Sequence, residues 1–264
     1  MPITDVGDIA AGLAVAQKIR ALKNITACKA IGSFESSWLA VGYPPAGVPP
    51  PAYTAGAGYA CDKNTLGALP YTNGAVKNWL AKLFASSPIA GTLFIYDRLW
   101  SCGGMGFAAG TYPVTTPGAL PARVTDAGLT AELWIEQFVA AGAAGSTLTA
   151  NYLDSANGAR AGVIPAVVSA PLIGQMQAVP LANNLGIKSL TSVVTASTWT
   201  SGSFGASIVK PVAEIELPMA GIGKTLDWAA VLEGLTDDMC LFFIWQGGAV
   251  TATQVLVRPR LIDK

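Results

Sequence analysis

The chain has 264 residues, of which 52% are hydrophobic and only 12% charged; 16 basic and 16 acidic side chains cancel, and there is no histidine. Soluble domains usually carry about a quarter charged residues, so something other than ionic groups must cover the apolar surface of what is one large domain or two modest ones. Zero net charge argues against a nucleic-acid binder, which must neutralise phosphates, and the missing histidine removes Ser-His-Asp and Cys-His catalysis and His-bearing zinc sites.

In chain order, Asp8–Ile25 comes first, with Ile9, Leu13, Ala16, Ile19 and Leu22 at helical spacing after the acidic capping residues Asp5 and Asp8. The spacing predicts a helix, with Lys18, Arg20 and Lys23 on its wet side. Next lies Gly42–Gly58, whose Pro44, Pro45, Pro49, Pro50 and Pro51 exclude a helix interior or a central strand. Extended chain is expected there, serving as an arm laid on a neighbour. Thr72 can cap a second helix, with Val76, Trp79, Leu80 and Leu83 on one face, ending before Pro88.

From Gly91 the texture changes. Strands are expected at Thr92–Tyr96, Leu129–Val139, Leu148–Leu153, Gly162–Val168, Ser189–Ser197, Ala206–Leu217, Met239–Gln246 and Gln254–Leu261. Gly and Pro punctuate them every eight to twenty residues, and helical patterns between them are few. The predicted fold is therefore mainly β: a β-sandwich or jelly-roll-like body over 91–264, preceded by a region of two short helices and a Pro-rich arm over 1–90.

Transmembrane helices are not expected, because Glu132 and Glu136 interrupt the run 127–144, and Pro165 and Pro171 break 163–173. The start, Met1-Pro2-Ile3-Thr4-Asp5, has neither a basic region nor an apolar one, so a soluble, cytoplasmically made protein without a secretory signal is expected. Cys28, Cys61, Cys102 and Cys240 form no C-x-x-C pair. They read as buried thiols, with a Cys28–Cys61 disulfide as the lesser alternative.

Chemistry that survives the lack of histidine is thin. Pro218-Met219-Ala220-Gly221-Ile222-Gly223-Lys224-Thr225 resembles a phosphate-binding loop, but proline stands where that loop needs a glycine, so a turn between β elements is the better account. Glu132 and Glu136 could form a carboxylate pair of the glycosidase kind, although a solvated strand face uses the same residues. Asp97-Arg98 reads as a structural ion pair or an interface contact, and Asp237-Asp238 as a turn. Trp100, Trp134, Trp199 and Trp245 suit packing in a core or interface better than sugar stacking. No catalytic residue, metal or cofactor is assigned, and the protein is expected not to be an enzyme.

The stretch Leu93-Phe94-Ile95-Tyr96-Asp97-Arg98-Leu99-Trp100-Ser101-Cys102, with Thr130–Val139 and Gly162-Val163-Ile164-Pro165-Ala166, resembles virion structural proteins encoded by tailed bacteriophages, from about residue 90 to the C-terminus. The resemblance implies a particle component located in the virion. A capsid decoration (cement) protein fits best, with the major capsid protein and copies of itself, as a homotrimer, for partners. A tail-tube or neck subunit is the alternative, and a carbohydrate-binding or adhesion module the rival from another class. The residues expected at an interface are Pro44, Pro45, Pro49, Pro50, Pro51, Tyr53 and Trp100.

Overall fold

Branched and aromatic side chains at period two, rather than at helical period, drive most of this chain into strands. The computed structural model describes residues 6–26, 29–48, 57–74, 77–106, 108–114, 120–142, 147–165, 172–198, 201–231, 233–236 and 238–263. The first third forms α1 (Val6–Ala14), β1 (Gln17–Lys18), β2 (Ala21–Ile25), β3 (Phe34–Ser36), β4 (Val41–Tyr43), β5 (Gly58–Ala60) and β6 (Asn78–Ser86). The middle supplies β7 (Gly91–Gly106), β8 (Gly110–Pro113), β9 (Glu132–Val139), β10 (Leu148–Leu153), β11 (Ala159–Ile164) and β12 (Gln175–Ala178). The last third adds β13 (Ser189–Thr195), β14 (Ser203–Leu217), β15 (Lys224–Leu226), α2 (Trp228–Val231), β16 (Glu233–Leu235), β17 (Leu241–Gly247) and β18 (Thr253–Asp263).

The fold is mainly β, and its centre is a sheet closed on itself. Strands run β14-β9-β12-β3-β17-β7, and β7 pairs back onto β14, giving a six-stranded antiparallel barrel with β5 added along β7. Closure removes the sheet edges that an open arrangement would expose. Inside sit Trp38, Tyr96, Trp134, Met176, Phe242 and Ile244.

Two further sheets pack on the outside. The four-stranded sheet β11-β10-β13-β8 puts Leu148, Ala150, Tyr152 and Val193 against Trp100, Cys102, Leu133, Ile135 and Ile208 of the barrel wall. The other sheet, β15-β6-β18-β2-β4 with β1 and β16 alongside, sets Ala21, Leu80, Leu83, Val255 and Val257 against Leu93, Ile95, Phe243 and Trp245. Its opposite face is covered by α1, whose Ile9 meets Ala81 and Ile262. Residues before and after position 90 contribute jointly to these layers: β18 is hydrogen-bonded to both β2 and β6, while β3 and β5 belong to the barrel sheet.

The N-terminal helices differ from expectation. The first stops at Ala14, and Gln17–Lys18 and Ala21–Ile25 are strands. Ala21, Lys23 and Ile25 alternate inward, and a lysine at the middle position hid that period two from the sequence. Where the second helix was expected, between Thr72 and Pro88, the described residues form strand β6; Val76 lies outside them. The ladder of β6 with β18 skips Ala81, so Leu80 and Leu83 share a face at a spacing of three and imitate a helix. Trp79 and Ala81 are packed on the other face, so apolar residues on both sides hid the alternation of a strand.

Candidate functional site

Long strand β7 places its side chains alternately inside and outside the barrel until a bulge intervenes. The β7–β14 register skips Leu99, so Arg98 and Ser101 face one way while Trp100 and Cys102 face the other. Arg98 is fully buried. One guanidinium nitrogen, Nη2, donates to Glu136 Oε2, to Ser207 Oγ at 2.6 Å and to Ser101 Oγ at 3.2 Å. Nε and Nη1 meet no acceptor among the described residues. Instead the guanidinium lies over Trp38, 4.3 Å from the ring centroid, and 5.3 Å from that of Phe242. Ring faces therefore take the place of acceptors for that part of the cation. Burial is the largest single influence and pulls its pKa down, but Glu136 together with Cys61, Tyr59 and Cys240 holds it above the ordinary value.

A second ion pair staples a loop onto the barrel. Arg123 grips Asp97 with two hydrogen bonds, Nε to Oδ2 at 2.8 Å and Nη2 to Oδ1 at 3.0 Å, and also donates to the carbonyls of Cys61 and Arg98. Asp97 Oδ1 accepts from the Cys240 amide at 2.8 Å. Asp97 and Arg98 thus do not pair with each other, as their adjacency in sequence suggested. Neighbours on a strand point to opposite sides, and each finds its partner on a different element. Glu136, expected on a solvated face, is fully buried against Arg98.

Glu132, Tyr96 and Trp134 meet at one mouth of the barrel. Glu132 Oε2 accepts from Trp134 Nε1 at 2.8 Å and from the Tyr96 hydroxyl at 3.2 Å. Burial, then Glu132 and then Glu214, push the Tyr96 hydroxyl well above its ordinary pKa. Phe34 packs edge-on against Trp134, centroids 5.1 Å apart, and Phe94 lies 5.9 Å from Phe34. These four rings and Glu132 form one wall of an open cavity of about 490 Å³, lined elsewhere by Leu129, Val179 and Leu181. That volume is in the range of small-molecule sites, about 300–1,000 Å³.

The residues expected at an interface are scattered. Trp100 is 1% exposed and is a core residue between the barrel and the four-stranded sheet, so it is not available to a partner. The backbone of Gly58 lies on its ring: a Cβ there would stand 1.8 Å from Trp100 Cζ2. Pro44 is buried and Pro45 exposed, and Pro49, Pro50, Pro51 and Tyr53 lie outside the described residues. The described beginning of the Pro-rich segment is bound to its own chain. Lys23 donates to the carbonyls of Ala40 at 3.0 Å and Pro45 at 3.2 Å, and the Gly47 amide donates to the Trp38 carbonyl at 2.7 Å. Lys23 is thus a buried anchor and not part of a wet face; burial lowers its pKa to about 8.

Trp100, Trp134 and Trp245 pack internally, while Trp199 lies outside the described residues. Cys61, Cys102 and Cys240 are buried free thiols; Cys28 is not among the described residues. Pro218–Thr225 is a turn leading into β15, where exposed Lys224 pairs with Ala85 in a ladder and no phosphate cradle is formed. Among the described residues no helix is long and apolar enough to cross a membrane. The sequence reading missed the cavity and the Arg98 cluster. Phe94, Tyr96 and Arg98 at spacing two were the one signal that these three share a side.

No protein-family model matches this chain, and no curated protein matches it either. Among solved structures, the infectious bursal disease virus VP2 subviral particle is similar at 8% identity and a TM-score of 0.21, over 94% of this chain and 81% of that one. The structure of the infectious bursal disease virus Gx strain follows at 9% identity and a TM-score of 0.19, over 93% and 80%. Likenesses this distant bear on neither the fold nor the function of this chain.

Proposed function

We propose that this chain is a non-enzymatic structural subunit of a virus particle, and within that class a tailed-phage capsid decoration protein that joins copies of itself and the major capsid protein. The observation that carries the reading is edge strand β4. Val41-Gly42-Tyr43 has one side hydrogen-bonded to β2, all three residues exposed, and no charge to repel a second strand. Val41 is 62% and Tyr43 55% exposed. Edge strands of proteins that stay apart are normally guarded by charge, proline or a bulge on the edge, and here the first proline follows only at Pro44.

The distribution of charge supports the same reading. Few ionic groups are present, and Lys23, Glu35, Asp97, Arg98, Glu136 and Asp154 are buried within the fold. The surface is therefore poorer still in charge than the composition implies, a state that favours association. The resemblance over Leu93–Cys102 supplies the virion and its capsid.

The test is assembly. The purified chain is expected to sediment as a closed oligomer, a trimer on this proposal, and to bind capsid shells. Val41→Lys is expected to weaken association at least about ten-fold by placing charge on the edge, with its unfolding temperature unchanged. A wild-type chain that remains monomeric at high concentration and never associates with shells would sink the proposal.

A further inference from the structure

The cavity at the barrel mouth has a chemistry of its own that assembly does not use. Among its described lining residues Glu132 is the one charged side chain, with no lysine or arginine beside it. An adjoining cavity of about 380 Å³ shares Phe94, Tyr96 and Glu132 and adds a second carboxylate, Glu214. Lys210, on the strand bordering that second cavity, is turned to Asp126 at 3.8 Å. The mouth is thus an apolar, ring-walled space with uncompensated negative charge at its edge.

Two donors of the ring wall are already spent, while the exposed amide of Asn184 also lines the cavity. Tyr96 and Trp134 would be the natural groups to grip a sugar hydroxyl or an anion, yet both donate to the same oxygen of Glu132. Thr130 is likewise committed, donating its hydroxyl to Asp126. What remains on offer is the half-buried rings of Phe34 and Phe94, the Asn184 amide and the carboxylate, since Tyr96 and Trp134 are almost wholly buried. A neutral polyol would lose hydrogen bonds with water and regain few, and an anion would be repelled. A cation whose charge is spread over apolar methyl groups matches both properties, since ring quadrupoles and a carboxylate attract it while its methyls bury area.

We infer that this cavity binds a small organic cation with an alkylated ammonium head, seated against Phe34 and Phe94 and neutralised by Glu132. The head group can come from a free metabolite or from a choline-headed lipid, and the same chemistry recognises both. This inference does not depend on the particle role.

The probe is choline chloride, titrated calorimetrically into the intact chain beside its neutral carbon isostere, 3,3-dimethyl-1-butanol. Saturable binding of choline is expected, at least about ten-fold tighter than that of the isostere. Glu132→Gln keeps an acceptor for Tyr96 and Trp134 but removes the charge. It is expected to cost choline about ten-fold while leaving the isostere unaffected. Phe94→Leu is expected to weaken choline by a similar factor and serves if the first variant is unstable. Phosphatidylcholine vesicles form a further arm: binding competed by free choline assigns the lipid source, and its absence assigns the free metabolite. No saturable binding of choline, equal binding of the isostere, or tighter binding of a monosaccharide would each overturn the inference.

Discussion

Arg98 and Glu136 stand opposed inside a barrel otherwise filled with rings, and each is tolerable only because of the other. Taking one charge away leaves its partner uncompensated in a medium that cannot solvate it, a loss of about 3–5 kcal/mol. Arg98→Met and Glu136→Gln are each expected to lower the unfolding free energy by that order, read from denaturant titration. The double variant Arg98→Met, Glu136→Leu is expected to recover most of the loss, because apolar pairs of similar volume replace such ion pairs at little cost. Glu35 and Lys23 make the second residue-scale prediction. Glu35 sits opposite Trp245 in the β3–β17 ladder, and burial raises its pKa to about 8, with Ser33 pulling the other way. Between pH 4.5 and 8 the folded state keeps a proton that the unfolded state has released. Its contribution is therefore complete below pH 4.5 and declines by at most about 1.4 kcal/mol per pH unit up to pH 8. For Lys23 the folded pKa is lowered, so the unfolded state holds the extra proton between pH 8 and 10.5, and stability rises with pH there. Glu35→Gln is expected to flatten the fall below pH 8, and Lys23→Met the rise above it, in unfolding curves taken across pH.

At the scale of elements, bulges decide which sheet each strand serves. One skipped residue at Leu99 lets β7 turn Trp100 and Cys102 toward the four-stranded sheet after Leu93 and Ile95 have faced the larger one. The skip at Ala81 instead keeps Leu80 and Leu83 of β6 on one face, toward the same core. This is why most strands of the body were legible and β6 was not. Ser189–Thr195 and Ala206–Leu217 show branched residues or plain alternation, whereas a bulged strand buried on both faces carries the spacing of a helix. Gly58 offers a test at this scale, because β5 reaches β7 only by laying bare backbone on the Trp100 ring. Gly58→Ala is expected to detach β5 or displace Trp100, lowering stability by about 1–3 kcal/mol and raising hydrogen exchange at Tyr59 and Cys61. Exchange unchanged there would mean that the strand can shift without cost.

At the scale of the whole molecule, three packed layers leave a surface short of charge and, among the described residues, an unguarded edge at β4. The expected consequence is association that persists in high salt, because apolar and backbone contacts are not screened as ionic ones are; sedimentation at low and high ionic strength checks this, and dissociation in salt would point to ionic contacts instead. The sequence by itself determined the class of the fold, since the balance of branched residues, glycine and proline permits few helices, and it excluded histidine-based catalysis through a missing residue type. It also determined the scarcity of ionic cover, which is a property of composition and survives any fold. Only the tertiary structure decided which charges are interior, that Trp100 is core, and that Phe34, Phe94, Tyr96, Trp134 and Glu132 meet around one cavity. Those outcomes depend on register and closure. A shift of one residue reverses every side chain on a strand, and the pairing of β7 with β14 brings together positions more than a hundred residues apart.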